Sequence, residues 1–342
     1  MRFVTVTPNA AIDTTYLLDR LVPGQINRVD RVLPQPGGKG NNVARVLATL
    51  GHRPTATGFA GGHSGMALTD GLREQGIEPK FVPVVGETRV CLTIVEGQSG
   101  RTTEIREPGP ALTDTDANRL LAHLSDLVGA GDTVIISGSL PPGLAPDVAA
   151  RLIDAAKTAG AFVAFDSSGK VLRSSLQAQP NLIKPNQDEL FDLIGPVGDD
   201  PVAAVQQRLI GPILTDDAVV LLSLGAAGAI LIGRLGAIRA TPPPITPKNT
   251  VGCGDALLAG YLDARSRQLN EAESLAHAVA VATAAALQEA VGVVDATDIA
   301  HLESAVCVEI LAPGTAGEND GRQHLDRPII VPGQSESEGA FG

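Results

Sequence analysis

The chain has 342 residues and a formal net charge of −12, and 44% of its residues are hydrophobic while only 3% are aromatic. The negative charge argues against nucleic acid and anionic membrane surfaces as partners, and no apolar run reaches the length of a membrane span. Three widely spaced cysteines fit neither a disulfide framework nor a metal cluster and favour a reducing, cytoplasmic compartment.

Segments with the patterns of strands and helices alternate along most of the chain. Predicted strands lie at 2–6, 134–136, 162–165 and 219–222, and predicted helices lie at 43–50, 116–127, 148–159, 255–265 and 271–288. Strands that alternate with helices imply right-handed crossovers between parallel strands. The predicted fold class is therefore α/β, with a mostly parallel sheet covered by helices on both faces.

Four short strand patterns interrupt this alternation. They lie at 14–18, 28–33, 89–95 and 101–105. We expect them to form a small accessory sheet, inserted into the main domain in two pieces at about 13–35 and 87–107. A lid that excludes water from a reaction site is the expected role of such an insertion.

The end of the chain differs in composition from the rest. Residues 312–342 are rich in Gly, Pro, Ser and acidic residues, and they show no periodicity apart from a short run at 328–332. The sequence therefore predicts one folded domain over residues 1–311, followed by a flexible tail.

The segment from Asn249 to Gly260 places a glycine-flanked turn directly before an apolar helix. Backbone N–H groups at a helix start lack partners within the helix, and the helix dipole adds partial positive charge. Such a turn is typical of a site for a phosphate group. Asp255 lies in the first helical turn, where its carboxylate is placed to accept a proton from a hydroxyl. The same pattern also fits an acidic cap on an ordinary glycine turn.

A second glycine-rich segment lies at residues 37–42. Its glycines allow a ligand to approach the backbone, Lys39 supplies a positive charge, and Asn42 supplies a donor and an acceptor. The segment lacks the spacing of a Walker A loop, and no dinucleotide fingerprint follows the first strand. A flexible connector with an exposed lysine is the alternative explanation.

Two further segments follow predicted strands. Lys184 precedes Asn186 and Glu189, which share one face of a helix start and suit Mg²⁺ held largely through water. The segment 223–229 follows a buried strand and is placed to border a nucleotide at the carboxyl edge of a parallel sheet. A solvated, capped helix start and a tight turn are the alternative explanations.

Isolated charged residues supply further candidates. Asp13 follows the first strand, where its carboxylate is placed to bind two sugar hydroxyls. Arg28, Arg89 and Arg106 fall on the accessory sheet and are candidates for binding a substrate phosphate in this acidic protein. Solvated arginines on strands are the alternative explanation for each of them.

The histidines and one cysteine are assigned structural roles. His63, His123 and His277 show no metal-ligand spacing with acidic residues or cysteines. Cys253 lies inside the glycine turn, where a small residue that fills a tight turn explains it better than a redox switch does.

Together these motifs resemble the PfkB branch of the ribokinase-like carbohydrate kinases, over residues 1 to about 310. The matching segments are Asn9-x-Ala-x-Asp13, Gly37-Gly38-Lys39-Gly40-x-Asn42-Val-Ala-Arg45, Thr88-Arg89, Glu107-Pro108-Gly109-Pro110, Ser137 to Gly143, Asp166-Ser167-Ser168-Gly169, Lys184-Pro185-Asn186-x-x-Glu189, Ser223-Leu224-Gly225 and Gly252-x-Gly254-Asp255. So many matches in one order argue against chance. The resemblance implies a ribokinase-like three-layer α/β/α sandwich, a β-lid that often forms a homodimer, and ATP- and Mg²⁺-dependent phosphorylation of a sugar hydroxyl.

The resemblance also implies a role for each candidate residue. Asp255 is the implied catalytic base, and the N–H groups of Gly252, Cys253 and Gly254 are the implied anion hole. The implied sugar-binding residues are Asp13, Gly38, Lys39, Asn42 and Ser139, with Arg28 and Arg89 near the substrate phosphate. The implied ATP-site residues are Lys184, Asn186, Ser223, Gly225, Gly228 and Asn249, and Asn186 and Glu189 are implied to organise Mg²⁺.

Lys39 in the glycine-rich segment resembles 1-phosphofructokinases and tagatose-6-phosphate kinases, and the pair Asn27-Arg28 resembles 1-phosphofructokinases. The expected reaction is transfer of the ATP γ-phosphoryl group to O6 of fructose 1-phosphate, and the alternative substrates are tagatose 6-phosphate and fructose 6-phosphate, phosphorylated at O1. A non-catalytic sugar-phosphate sensor is a different class, which the intact turn before Asp255 disfavours. A nicotinamide oxidoreductase is a third class, which the missing dinucleotide fingerprint disfavours.

Overall fold

A computed structural model describes residues 1–198 and 200–311, so the tail predicted at 312–342 lies outside the described residues. The strands are β1 (Phe3–Thr7), β2 (Ala11–Leu18), β3 (Arg31–Gly37), β4 (Thr55–Ala60), β5 (Glu78–Pro79), β6 (Val82–Pro83), β7 (Arg89–Glu96), β8 (Thr102–Arg106), β9 (Thr133–Ser137), β10 (Phe162–Asp166), β11 (Leu182–Ile183), β12 (Val219–Ser223), β13 (Ala229–Gly233), β14 (Gly236–Thr241) and β15 (Cys307–Leu311). The helices are α1 (Lys39–Thr49), α2 (Gly62–Glu74), α3 (Asp114–Leu127), α4 (Val148–Thr158), α5 (Gly169–Ser175), α6 (Gln187–Ile194), α7 (Pro201–Arg208), α8 (Cys253–Ser266), α9 (Glu271–Ala286) and α10 (Ala296–Glu303). No helix in this part of the chain is long and apolar enough to cross a membrane.

Within residues 1–198 and 200–311, eleven strands form the central sheet. Their order is β15-β14-β13-β12-β11-β10-β9-β1-β4-β5, and β6 also pairs with β4. The pairs from β5 to β12 are parallel, whereas those from β12 to β15 are antiparallel. The predicted α/β fold with a mostly parallel sheet is thus confirmed. The antiparallel extension was not predicted, because the alternation of strands and helices describes only the crossover-connected part of a sheet.

Helices cover both faces of the central sheet, because successive residues of a strand point to opposite sides. In β9, Val134 and Ile136 pack into one core with α3 and α4. Ile135, which lies between them, packs into a second core with α1, α8 and α9. Such burial on both sides is typical of parallel sheets, and it confirms the predicted three-layer arrangement.

A second sheet of four strands has the order β3-β2-β7-β8, and we call it the small sheet. Residues that pair directly across neighbouring strands lie on the same face of a sheet. Asp13 of β2 is in register with Cys91 of β7, which is in register with Arg106 of β8. These three residues therefore share one face of the small sheet, which we call its inner face.

A buried ionic cluster joins helices α8, α9 and α10. The ring nitrogens of His277 lie 2.9 Å from Asp263 Oδ2 and 3.1 Å from Glu303 Oε2. Asp263 also lies 2.7 Å from His52 Nε2 and accepts a hydrogen bond from Arg267. Burial opposes a charged imidazole, but the two carboxylates outweigh it and raise the pKa of His277 to about 9. His277 is therefore a charged residue that holds three helices together.

This charge is expected to make folding stability fall at alkaline pH. The folded-state pKa of His277, about 9, exceeds the unfolded value near 6.5, so its contribution is complete below about pH 6.5 and is lost as the pH rises through 9. We expect a decrease of about 3 kcal/mol in the free energy of unfolding across this range. Denaturant unfolding at several pH values measures it, and His277→Gln should remove the decrease.

The control for this prediction is His63→Gln, at an exposed histidine on α2. This variant should keep the wild-type dependence of stability on pH. If the His277→Gln and wild-type proteins lost the same stability between neutral and alkaline pH, the buried cluster would not be the cause.

Candidate active site

A cavity of about 980 Å³ lies between the carboxyl edge of the central sheet and the inner face of the small sheet. Parallel strands end at the same edge, so loops that are far apart in the sequence meet there. Most of the predicted site residues line this cavity. They are Asp13, Gly38, Lys39, Asn42, Arg89, Ser139, Lys184, Asn186, Glu189, Ser223, Gly225, Gly228, Gly252, Cys253, Gly254 and Asp255.

Two predicted site residues do not line the cavity. Arg28 is exposed on the connection between β2 and β3. Asn249 is buried in the turn before α8, where its Oδ1 accepts from Val251 N at 2.9 Å and its Nδ2 donates to Glu289 O at 2.9 Å. Asn249 therefore stabilises the turn before α8 and does not line the cavity, because both ends of its amide are bonded to backbone groups.

The turn before α8 depends on glycine at position 252. Gly252 has φ of 82°, and a Cβ atom there would lie 2.6 Å from Val291 Cγ1. The left-handed backbone at Gly252 leads into α8, whose first N–H groups have no partners within the helix and belong to residues that line the cavity. One of these donors is partly used, since Cys253 N also donates to Thr250 O at 3.4 Å. Burial raises the pKa of the Cys253 thiol to about 11, which keeps it protonated.

Asp255 lies in the first turn of α8 and is only 5% exposed. Its Oδ2 accepts a hydrogen bond of 2.8 Å from Asn42 Nδ2, which belongs to the glycine-rich segment at the start of α1. Burial raises the pKa of Asp255 to about 6, while Lys39 and Asn42 partly offset this effect and Asp166 adds to it. The carboxylate is therefore ionised at neutral pH and still basic enough to take up a proton.

A second buried carboxylate, Asp166, joins two lysines beside Asp255. Asp166 lies at the end of β10, where Lys39 Nζ lies 3.2 Å and Lys184 Nζ 3.3 Å from its Oδ1. Burial opposes its ionisation, but the two lysines outweigh it and lower the pKa of Asp166. The ammonium of Lys184 also lies beside the turn before α8, because it is 3.4 Å from the position of a Cβ at Gly254. The cavity therefore holds two fixed positive charges near the start of α8.

The role of Asp166 was missed in the sequence, although its motif was recognised. The available signal was an acidic residue at the end of a predicted buried strand, next to Ser167 and Gly169. Sequence alone did not indicate which cations would reach it, since Lys39 and Lys184 approach from different loops.

The inner face of the small sheet forms the other wall of the cavity. Asp13 Oδ2 accepts from Gly38 N at 3.3 Å, and burial raises the pKa of Asp13. The guanidinium of Arg89 donates to Asn9 O and Glu107 O, so most of its donors are used by the backbone. Arg106 lines the cavity as well and pairs with Glu104 on its own strand.

The helix start at α6 fits a magnesium ion that is held through water. Asn186 Oδ1 accepts from Glu189 N at 2.8 Å, and Glu189 Oε2 accepts from Asn186 N at 2.9 Å. These bonds use the Asn186 oxygen and one Glu189 oxygen for capping, and both residues line the cavity. No cluster of three or more His, Cys, Asp or Glu that suits a metal occurs within the described residues. Mg²⁺ bound mainly by waters and substrate phosphates meets these conditions.

One part of the cavity lining, formed by the segments after β12 and β14, is largely apolar. Ser223, Gly225 and Gly228 line it as predicted, together with the proline-rich segment 242–247 and Thr283 of α9. The proline-rich segment was not assigned to the site from the sequence. Its signal was the run of prolines after a strand, which indicates a stiff loop at a strand end.

A buried carboxylate with a raised pKa, a helix start and two lysines that line one cleft are features typical of a phosphotransferase with a hydroxyl acceptor. Comparison with known proteins agrees with this class. The family model described as pfkB family carbohydrate kinase matches residues 1–297. The chain belongs to this family of kinases, as the motifs indicated.

Several solved structures with the same fold are described as phosphofructokinases or candidate phosphofructokinases. A phosphofructokinase candidate from Staphylococcus aureus is 33% identical, with a TM-score of 0.76 and coverage of 91% of this chain and 99% of that chain. Phosphofructokinase-2 from Escherichia coli, solved with substrates and products, is 29% identical, with a TM-score of 0.83 and coverage of 89% and 99%. That protein also has a tetrameric inhibited form. A candidate 1-phosphofructokinase from Thermotoga maritima is 26% identical, with a TM-score of 0.78 and coverage of 91% and 100%.

Proposed function

We propose that this kinase transfers the γ-phosphoryl group of ATP to O6 of fructose 1-phosphate and produces fructose 1,6-bisphosphate and ADP. The observation that carries the proposal is that Asp255, Lys39 and Arg106 line one cavity although they belong to three separate parts of the fold. They supply a base, a positive charge beside the base, and a cation on the opposite wall for the phosphate that the substrate already carries.

The chemical roles follow from the positions of these groups. The substrate hydroxyl oxygen attacks the γ-phosphorus, its proton passes to Asp255, and the bond to the bridging oxygen of ADP breaks. The start of α8 and the ammonium of Lys184 stabilise the negative charge on the transferred group. Asn186 and Glu189 would hold Mg²⁺ through water, and the ion would neutralise charge on the ATP phosphates. Positioning and charge stabilisation therefore provide most of the catalysis.

Arg106 is the proposed contact for the phosphate of the sugar. Its position in register with Cys91 and Asp13 places it on the inner face of the small sheet. Arg106→Gln is expected to raise the KM for the phosphosugar by about 10-fold or more, because a charge-assisted bond to phosphate is lost. The KM for ATP should stay near the wild-type value. Steady-state kinetics with each substrate varied measures both constants.

The control is Arg101→Gln, on the same hairpin, where the arginine pairs with Glu96 and does not line the cavity. This variant should keep the wild-type KM for both substrates. An unchanged KM for the phosphosugar in Arg106→Gln would remove Arg106 from the binding site.

We infer that the outer face of the small sheet joins two copies of the chain. Tyr16 pairs with Val32, and Leu92 pairs with Ile105, so these apolar residues lie on the face opposite Asp13. Val32 and Ile105 are each 52% exposed, which is unusual for large apolar residues on a strand. A homodimer through this face would bury them, and sedimentation of the purified protein tests it: a monomer at micromolar concentration would contradict the inference.

A panel assay tests the proposed reaction. The protein is incubated with ATP, Mg²⁺ and either fructose 1-phosphate, tagatose 6-phosphate or fructose 6-phosphate, and kcat/KM is compared. We expect the highest value with fructose 1-phosphate. A higher value with another ketohexose phosphate would change the assigned substrate, and a lack of turnover with all of them would favour a sugar-phosphate sensor. The use of ATP and the three free thiols also favour a cytoplasmic location.

A further inference from the structure

Arg45 of α1 lies directly behind the proposed catalytic base and does not line the cavity. We propose that Arg45 is a positioning residue for phosphoryl transfer, because it fixes the orientation of the Asn42 amide that holds Asp255. The inference rests on the proposed function, since it explains how the proposed base is held in place.

The guanidinium of Arg45 is buried, and each of its three nitrogen atoms donates a hydrogen bond. The residue is 5% exposed. Nη1 donates to Asn42 Oδ1 and to Val291 O, each at 3.0 Å, and Nε donates to Gln75 Oε1 at 3.0 Å. Nη2 donates to Pro36 O at the end of β3. One side chain therefore joins α1 to three other segments of the chain.

All of these acceptors are neutral, which makes the charge of Arg45 unusual. No carboxylate lies within ion-pair distance of it in the described ranges 1–198 and 200–311. Burial lowers the pKa of Arg45 to about 10, with Asp13 and Asp255 partly offsetting it, so the group stays charged at neutral pH. A buried cation without a direct partner is costly, and an apolar side chain would pack there without this penalty.

The orientation of Asn42 explains what the charge does. An asparagine amide has one accepting oxygen and one donating nitrogen. Arg45 can only donate, so it requires the Oδ1 atom of Asn42 on its side, and Nδ2 is then directed at Asp255 Oδ2, 2.8 Å away. A rotated amide would place its nitrogen against the guanidinium and its oxygen against the carboxylate. Both contacts would be repulsive, so Arg45 selects the one orientation that holds the base.

The same guanidinium also contacts the segment that packs behind the turn before α8. Val291 O accepts from Arg45 and also from Gln35 Nε2 of the small sheet, at 2.8 Å. The side chain of Val291 packs against Gly252, the residue that shapes the turn before α8. Val291 O keeps the bond from Gln35 when Arg45 is replaced, so the main effect of Arg45 on catalysis is expected to pass through Asn42.

A double-mutant cycle between Arg45 and Asn42 tests the proposal. Arg45→Lys keeps the charge, but its single nitrogen ends one bond short of the Nη1 position and cannot reproduce the fork that bonds Asn42, Gln75 and Pro36 together. We expect its kcat to fall about 10- to 100-fold, as for a small misplacement of a reacting group, with the KM for ATP unchanged within about 2-fold. In an Asn42→Ala background, the Arg45→Lys substitution should lower kcat by less than about 3-fold, because its effect passes through Asn42. Equal losses in both backgrounds would overturn the proposal.

Two further variants keep the test decisive. Gln75→Ala removes the bond from Arg45 Nε, which involves neither Asn42 nor Asp255. This variant should keep kcat within about 2-fold of wild type. A loss of kcat as large as that of Arg45→Lys would overturn the proposal. If Arg45→Lys does not fold, Arg45→Gln replaces it, since an uncharged residue avoids burial of a displaced ammonium, and the same drop in kcat is expected.

Asp255→Asn separates this inference from the proposed function. An inactive Asp255→Asn together with a wild-type kcat in Arg45→Lys would overturn the role of Arg45 and leave the proposed function intact. Full activity in Asp255→Asn would overturn the proposed base, and the role of Arg45 with it.

Discussion

Replacement of Asp255 by Asn is expected to lower kcat by about 10³-fold or more while the phosphosugar still binds. Asn has the same shape, and its carbonyl oxygen can still accept the bond that Asn42 Nδ2 donates to Asp255 Oδ2. It cannot accept the proton of the attacking hydroxyl. Initial rates at saturating ATP and saturating phosphosugar measure kcat. Calorimetric titration of the protein with the phosphosugar measures the Kd of that substrate.

The matched control is Asp70→Asn, at an exposed aspartate on α2 that pairs with Arg73. It should keep wild-type kcat and Kd. Wild-type activity in Asp255→Asn would show that another group accepts the proton, and a loss of phosphosugar binding would show that the carboxylate acts mainly as a ligand.

Gly252→Ala is expected to have the second largest effect, a decrease in kcat of about 10²-fold or more. At φ of 82° an alanine is strained, and its Cβ would lie 2.6 Å from Val291 Cγ1 and 3.4 Å from Gly292 N. The turn must shift to relieve these contacts, so the first N–H groups of α8 move away from the position of the transferred phosphoryl group. Steady-state kinetics and thermal melting of the same preparation measure the change.

Gly76→Ala separates the effect of the turn from the effect of backbone strain. Gly76 also has a positive φ, 75°, but a Cβ there would have no atom within 4 Å. This control should lower the melting temperature and leave kcat unchanged. If Gly252→Ala lost no more kcat than Gly76→Ala, the turn before α8 would have no role in catalysis.

The parts of the site that sequence could predict are those contained in one continuous segment. The turn from Gly252 to Asp255 and the cap formed by Asn186 and Glu189 are such segments, because a helix start determines where its own N–H groups and first-turn side chains lie. Their meeting in one cavity followed from the parallel sheet, whose strands end at a common edge.

The parts that sequence could not predict depend on contacts between distant segments. The sequence offered Arg28, Arg89 and Arg106 as candidates, and the family resemblance favoured Arg28 and Arg89 for the substrate phosphate. Only the strand register places Arg106 on the inner face of the small sheet, whereas Arg28 lies on an exposed connection. The pairing of Asp166 with two lysines and the bonds of Arg45 likewise join residues from separate loops. No local pattern encodes such a partner, since each side chain reaches it only after the sheet has formed.

The proposed phosphoryl transfer, with Asp255 as its base, is tested most directly by ³¹P NMR of the products formed from ATP and fructose 1-phosphate. The wild-type protein is expected to form fructose 1,6-bisphosphate and ADP in equal amounts, and Asp255→Asn is expected to form neither above background. ADP that accumulates with inorganic phosphate in place of a bisphosphate, or bisphosphate formed at the wild-type rate by Asp255→Asn, would contradict this proposal.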